Sequence, residues 1–154
     1  MNGAIREVIQ LLHSEAVGRN ATLTPDLAAG LPVVLAGRVE FQQVMVNLLL
    51  NALDAVRDVP PGRREILVRT RADQNAVVIA VRDHGCGLPP PDVQTIFEPF
   101  FTTKATGLGM GLAICRRMIQ AHGGCIWAAN HEDAGATVSF SLPSLQASTE
   151  PSDG

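Results

Sequence analysis

Apolar residues recur with helical spacing at Ile5, Val8, Ile9, Leu12 and Val17, predicting a helix over residues 4–17 that Gly18-Arg19-Asn20 closes. ATLTPDL and PVVL follow as short extended pieces broken by Pro25, Gly30 and Pro32. The strongest helical period lies in residues 38–57, where Phe41, Val44, Met45, Leu48, Leu49, Ala52, Leu53 and Val56 share a face. Pro60-Pro61-Gly62 stops it. EILVRTRA and AVVIAVRD read as two strands, with Asp73-Gln74-Asn75 as their hairpin turn. HGCGLPPPD is a loop, DVQTIF a short helical turn, and residues 97–110 a phenylalanine-rich, then glycine-rich connection. A helix runs from about Met110 to Ala121, with His122 near its end and Gly123 as its stop. CIWAAN and ATVSFSL pair across HEDAG, and the polar SLQASTEPSDG is expected to be a disordered tail. These boundaries put one domain at 1–143 and the tail at 144–154.

The elements do not alternate as in a doubly wound parallel sheet. They predict an α+β fold, a two-layer sandwich whose mixed, mostly antiparallel sheet is covered on one face by about three helices. A length of 154 residues suits one core. The net charge of −3, with no basic stripe, excludes nucleic acid as the expected partner. No apolar run approaches the roughly 20 residues of a membrane span and no signal pattern opens the chain, so no direct membrane contact is expected. Cys86, Cys115 and Cys125 are odd in number and lack CxxC spacing, which points to a reducing compartment rather than a disulfide or zinc scaffold. A soluble, cytoplasmic location follows.

Four stretches carry candidate chemistry. In VNLLLNALDA, Asn47, Asn51 and Asp54 stand at i, i+4 and i+7, so their side chains form one polar stripe in an apolar run. The stripe is either a solvated helix face or a set of oxygen donors suited to a hard cation that keeps its water, as magnesium does on a nucleotide. Alternation along AVVIAVRD turns Asp83 to the same face as Val77, Ile79 and Val81. It is either the head of a turn or a core-facing carboxylate in need of donors; Gly85 and Gly87 after it let backbone pass close to a flat ligand. Gly107, Leu108, Gly109, Gly111 and Leu112 form a glycine-rich segment before a helix, where N–H groups can face an anion. Its GxGxG spacing, with no preceding strand and no Gly-Lys-Ser/Thr ending, fits neither a dinucleotide fold nor a P-loop. Lys104 stands three residues ahead as a possible phosphate countercharge. Phe97 begins a phenylalanine cluster that is either local packing or an apolar anchor for a lid.

In this order NLLLNALDA, DHGCGLP, FEPFFTTK and GLGMGLAI resemble the N, G1, F and G2 boxes of sensor histidine kinase catalytic domains. Those domains belong to the gyrase, Hsp90, histidine kinase and MutL superfamily with its Bergerat ATP-binding fold. The resemblance spans roughly residues 4–143 and is nearest in style to the oxygen-sensing and nitrogen-regulation branch. It implies ATP and Mg2+ as cofactors. Asp83 would accept from the adenine amine, and Gly85 and Gly87 would shape the adenine pocket. Asn51 would ligate magnesium with Asn47 and Asp54 beside it. Lys104, Gly107, Leu108, Gly109, Gly111 and Leu112 would border the phosphates, with Phe97 at the lid. Ala36-Gly37 replaces a common Gly-Asp, leaving the long helix without its usual acidic start.

Superfamily ATPases and serine kinases typically carry Glu where this chain has Asn47, and an amide is a poor base near neutral pH. The resemblance therefore implies a kinase that donates the γ-phosphoryl group to a histidine on its own dimerisation domain. That histidine is absent here, since His13 lacks the acidic-proline context of a phospho-acceptor. Relay to a response regulator receiver domain would follow. The isolated chain is expected to bind ATP without autophosphorylating. A self-contained ATPase or anti-sigma-factor-like serine kinase, and a nucleotide-free interaction module, are the alternatives.

Overall fold

The computed structural model describes residues 1–85, 87, 96–98, 111–131 and 135–145. Helix α1 (Asn2–Leu11) and the short α2 (His13–Gly18) lead into β1 (Thr22–Asp26) and the long α3 (Arg38–Ala55). A single 3-10 turn at Pro61–Arg63 precedes the hairpin of β2 (Glu65–Asp73) and β3 (Ala76–Asp83). Helix α4 (Gly111–Ala121) and the pair β4 (Cys125–Asn130) and β5 (Ala136–Pro143) complete the chain. The sheet order is β1-β2-β3-β5-β4, with β1 parallel to β2 and every other pairing antiparallel.

One face of that sheet makes the core. Ile66 and Val68 of β2, Val77, Ile79 and Val81 of β3, and Phe140 and Leu142 of β5 point inward by strand alternation. Against them lie Ile5 and Val8 of α1, Phe41, Val44, Met45, Leu48, Leu49, Ala52 and Leu53 of α3, and Cys115 and Ile119 of α4. The predicted two-layer α+β sandwich is thus the observed architecture, with α3 packed between α1 and α4. Among the described residues no helix is long and apolar enough to cross a membrane.

Three boundaries differ from the sequence reading. The first helix kinks at Leu12, whose backbone leaves helical values at φ −93° and ψ 6°. The inward stride becomes Ile5, Val8, Leu12 and Ala16, so Val17, expected on the apolar face, is 58% exposed. Helix α3 ends at Ala55, two residues before the predicted limit, although Val56 stays fully buried. The Arg64 guanidinium binds the carbonyls of Arg19, Arg57 and Val59, tying down the turns after α2 and α3. Finally, β5 runs to Pro143, one residue past the predicted strand, and after it Ser144 bridges Val34 while the Leu145 N–H donates to Val33 O. The remainder of the predicted tail, 146–154, lies outside the described residues.

The start of α3 does have an acidic group. Gly37 is its N-cap, and the Glu40 carboxylate folds back over it into the space a Cβ would fill. A carboxylate in the first turn stands on the favourable end of the helix dipole.

Candidate functional site

Asp83 ends β3 facing the core side, 8% exposed. Its Oδ1 accepts the Gly85 N–H at 2.9 Å, closing a tight turn. Burial raises its pKa above the ordinary 3.8; the N–H groups of Gly85 and Ala136 and the nearby His84 and His131 oppose that rise without cancelling it. Both readings of Asp83 therefore hold: it heads a turn, and it is a largely desolvated acceptor. His131 is itself held by Thr137, Nε2 to Oγ1, at 2.5 Å.

The loop glycines meet their neighbours at backbone distance. A Cβ on Gly85 would stand 2.1 Å from the Ala55 carbonyl oxygen, so the loop after Asp83 lies directly on the last residue of α3. Gly87 has φ +79°, and its Cβ position is 3.2 Å from Asn130 Oδ1 at the end of β4. Gly135, at φ +82°, packs its Cα against the Asp83 carbonyl. Glycine at 87 and 135 follows from backbone conformation; at 85 it follows from space alone.

On α3, Asn47 and Asn51 are half-buried. Asn47 reaches α4: its Nδ2 donates to Cys115 Sγ at 3.6 Å, and its Oδ1 lies 3.7 Å from the Cβ position of Gly111. Asn51 stands one helical turn from Asn47 and one turn from Ala55, between the α4 contact and the Gly85 contact. The structure thus brings the stripe, the Asp83 turn and the start of α4 onto one stretch of α3. Asp54 is engaged differently. Its carboxylate forms an ion pair with Arg19 at 2.5 Å, and the same guanidinium binds Glu15 at 2.8 Å. The hydrogen bond to Asp54 raises the Arg19 pKa. Both partners are about a third exposed, so Arg19→Ala is expected to cost about 0.5–1 kcal/mol of unfolding free energy, a loss that should shrink in high salt. Chemical denaturation at two salt concentrations measures it.

Phe97 is buried with Ile96 and Ala128 in a small cluster to which Leu112, Ile126 and Val138 add partly buried surface. The cluster thus joins residues of β4, β5 and the first turn of α4. Lys104, Gly107, Leu108 and Gly109 lie outside the described residues, as does most of DVQTIF.

The family model for histidine kinase-, DNA gyrase B- and HSP90-like ATPases matches residues 36–146. The chain belongs to this family. Among curated relatives, the sensor protein FixL of Bradyrhizobium diazoefficiens is 44% identical over 126 residues, 81% of this chain and 25% of FixL. The chain therefore spans about a quarter of that relative's length. The nucleotide-free catalytic domain of histidine kinase ThkA superposes with TM-score 0.76 at 32% identity, covering 94% of this chain and 92% of that one. ThkA in complex with the response regulator protein TrrA also aligns, with TM-score 0.76 and 31% identity over 96% of this chain and 41% of that one. Full-length ShkA in complex with AMPPNP gives TM-score 0.77 at 27% identity, over 92% of this chain and 29% of ShkA. The mixed sheet with its helical layer is the fold of histidine kinase catalytic domains.

Sequence reasoning missed three residues that touch the candidate groups: Arg19 on Asp54, Cys115 on Asn47 and Gly135 on the Asp83 backbone. Arg19 belongs to a helix end with no motif of its own, so only the tertiary contact reveals its hold on Asp54. Cys115 entered only as one of three thiols, although its place one turn into the helix after the glycines could have flagged it. Gly135 lies in a turn rich in polar residues, where its closeness to the Asp83 backbone leaves no local trace.

Proposed function

We propose that the chain is the ATP-binding catalytic domain of a two-component sensor histidine kinase. It holds Mg-ATP and presents the γ-phosphoryl group to a histidine on a dimerisation domain, for relay to a response regulator receiver domain. The observation that carries this reading is the Asp83 carboxylate, buried at the strand end beside a glycine loop that rests on α3. A purine offers an exocyclic amine, and a desolvated carboxylate is a strong and selective acceptor for it. Gly85 seats the loop after that carboxylate on the end of α3, and Gly87 gives the backbone beside it its left-handed turn. The AMPPNP bound to ShkA, an ATP analogue, and the response regulator bound to ThkA support the same assignment.

The metal reading is tested by donor chemistry. Among the described residues no three His, Cys, Asp or Glu side chains gather to hold an ion. The α3 stripe supplies amide oxygen instead. This fits magnesium, a hard cation that keeps several waters and takes its other ligands from the phosphates. Asn51 would be its protein ligand, with Asn47 one turn before it and Asp54 steadied by Arg19. Magnesium bound there would neutralise phosphate charge. Gly111 and Leu112, with Lys104, Gly107, Leu108 and Gly109 ahead of them, would border the phosphates, and Phe97 would fasten the connection to the sheet. Phosphoryl transfer needs mainly alignment and charge neutralisation, which these groups supply. The Asn47 amide, resting on a thiol, cannot take a proton from water near neutral pH, which disfavours a self-contained ATPase.

Calorimetry of this chain with ADP and magnesium is expected to show binding; no heat at millimolar nucleotide overturns the proposal. With γ-labelled ATP the chain alone is expected to take no acid-labile label, whereas an added phospho-acceptor histidine domain should become labelled. Fast steady ATP turnover without an acceptor would revive the ATPase alternative.

A further inference from the structure

Cys115 and Asn47 face each other across the α3–α4 interface. The Asn47 Nδ2 donates to the Cys115 sulfur at 3.6 Å, while the other end of the same amide, Oδ1, lies toward Gly111. Cys115 has no exposed surface and is held within the core by α3 and the sheet. We propose that Cys115 is a positioning residue: its thiol holds the Asn47 amide by the nitrogen and keeps the amide oxygen turned toward Gly111, which opens α4. This rests on the nucleotide reading above and assigns a cause to the orientation of one of its groups.

The physical need is specific. The two ends of a side-chain amide are nearly equal in shape but opposite in hydrogen bonding, so an unheld amide can present either its NH2 group or its oxygen. Only the oxygen can serve a hydrated cation or a bound water donor beside the phosphates. A partner on the nitrogen fixes the choice before the ligand arrives, so binding no longer has to order that side chain. Burial pushes the Cys115 thiol up to about 11, so at neutral pH the sulfur is uncharged. It can accept from the amide without placing a negative charge near a polyphosphate. A carboxylate in its place would repel the ligand, and an aliphatic side chain would leave the amide nitrogen unheld.

Two measurements test this. In the nucleotide-free chain, the side-chain amide resonance of Asn47, identified by its loss in Asn47→Ala, is expected to shift in Cys115→Ala and to stay near its original position in Cys115→Ser. In calorimetry, ADP affinity is measured with magnesium and with a chelator. Cys115→Ala is expected to reduce the magnesium-dependent gain about three- to tenfold, the range of one neutral hydrogen bond, while magnesium-free affinity changes less than about twofold. Cys115→Ser should recover most of the gain, and Cys115→Ala should add nothing in an Asn47→Ala background. Should Cys115→Ala fail to fold, Cys115→Val carries the same test with no polar atom at the position. The inference is overturned by an unmoved Asn47 resonance, by equal losses with and without magnesium, or by independent effects of the two substitutions. A parent chain that binds no ADP at all defeats the nucleotide reading itself, a result distinct from any of these.

Discussion

Asp83→Asn is expected to weaken ADP binding by about 10- to 100-fold, the range for losing a hydrogen bond to a charged group, while leaving the nucleotide-free fold at least as stable as the parent. The two effects have one origin. The carboxylate is buried enough that desolvation raises its pKa despite the donors of Gly85 and Ala136. A carboxyl group whose pKa is higher in the folded chain stabilises the fold fully at pH below its unfolded value, and that contribution is lost as pH rises through the folded value. Near neutral pH the ionised form is therefore a strain on the fold. An amide at position 83 removes that charge and can still accept the Gly85 N–H. The stability difference between variant and parent should grow in the variant's favour from about pH 4 upward, following the raised folded pKa, and then level off. Binding should run the other way in the parent, weakening as acid protonates Asp83. Paired thermal melts and titrations across pH measure both. Unchanged ADP affinity in Asp83→Asn would show that this carboxylate does not receive the adenine amine, whereas no ADP binding by the parent would favour the nucleotide-free interaction module.

Gly85→Ala is expected to cost about 3 kcal/mol of stability and to abolish measurable ADP binding. Its Cβ would stand 2.1 Å from the Ala55 carbonyl oxygen, a backbone atom at the end of α3 that cannot rotate away. Either the loop lifts from the helix or the last turn of α3 yields. Both outcomes displace the Asp83 turn from Asn51. Gly62, which has open space at its Cβ position, is the control: Gly62→Ala should leave melting temperature and affinity almost unchanged. A stable Gly85→Ala chain with full affinity would show that close packing of the loop on α3 is not needed by the site.

Much of the fold was legible because its elements are locally consistent. The β2–β3 hairpin was readable from two alternating runs around a short turn, and the structure makes that turn from Gln74 and Asn75, with Gln74 at φ +53°. Gly123 was readable as the stop of α4 and has φ +79°. The first helix was harder, since a kink at Leu12 changes which later residues face inward and no local signal marks it. Ala16 lies inside and Val17 outside because α2 must pack against β1, a demand that hydropathy alone does not express.

The candidate site divides in the same way. Asn47, Asn51 and Asp83 could be singled out from the chain because each sets a polar residue within an apolar run, and Gly85 and Gly87 because they open the loop that follows Asp83. The periodicity by itself determined that α3 carries an amide stripe and that β3 delivers a carboxylate to the core side. Which groups hold those side chains was decided only in three dimensions. Arg19 lies 35 residues from Asp54 and Cys115 lies 68 from Asn47, separations at which no helical or strand period operates. Chain-local spacing can aim a side chain, but the partner that fixes its direction is supplied by packing between elements.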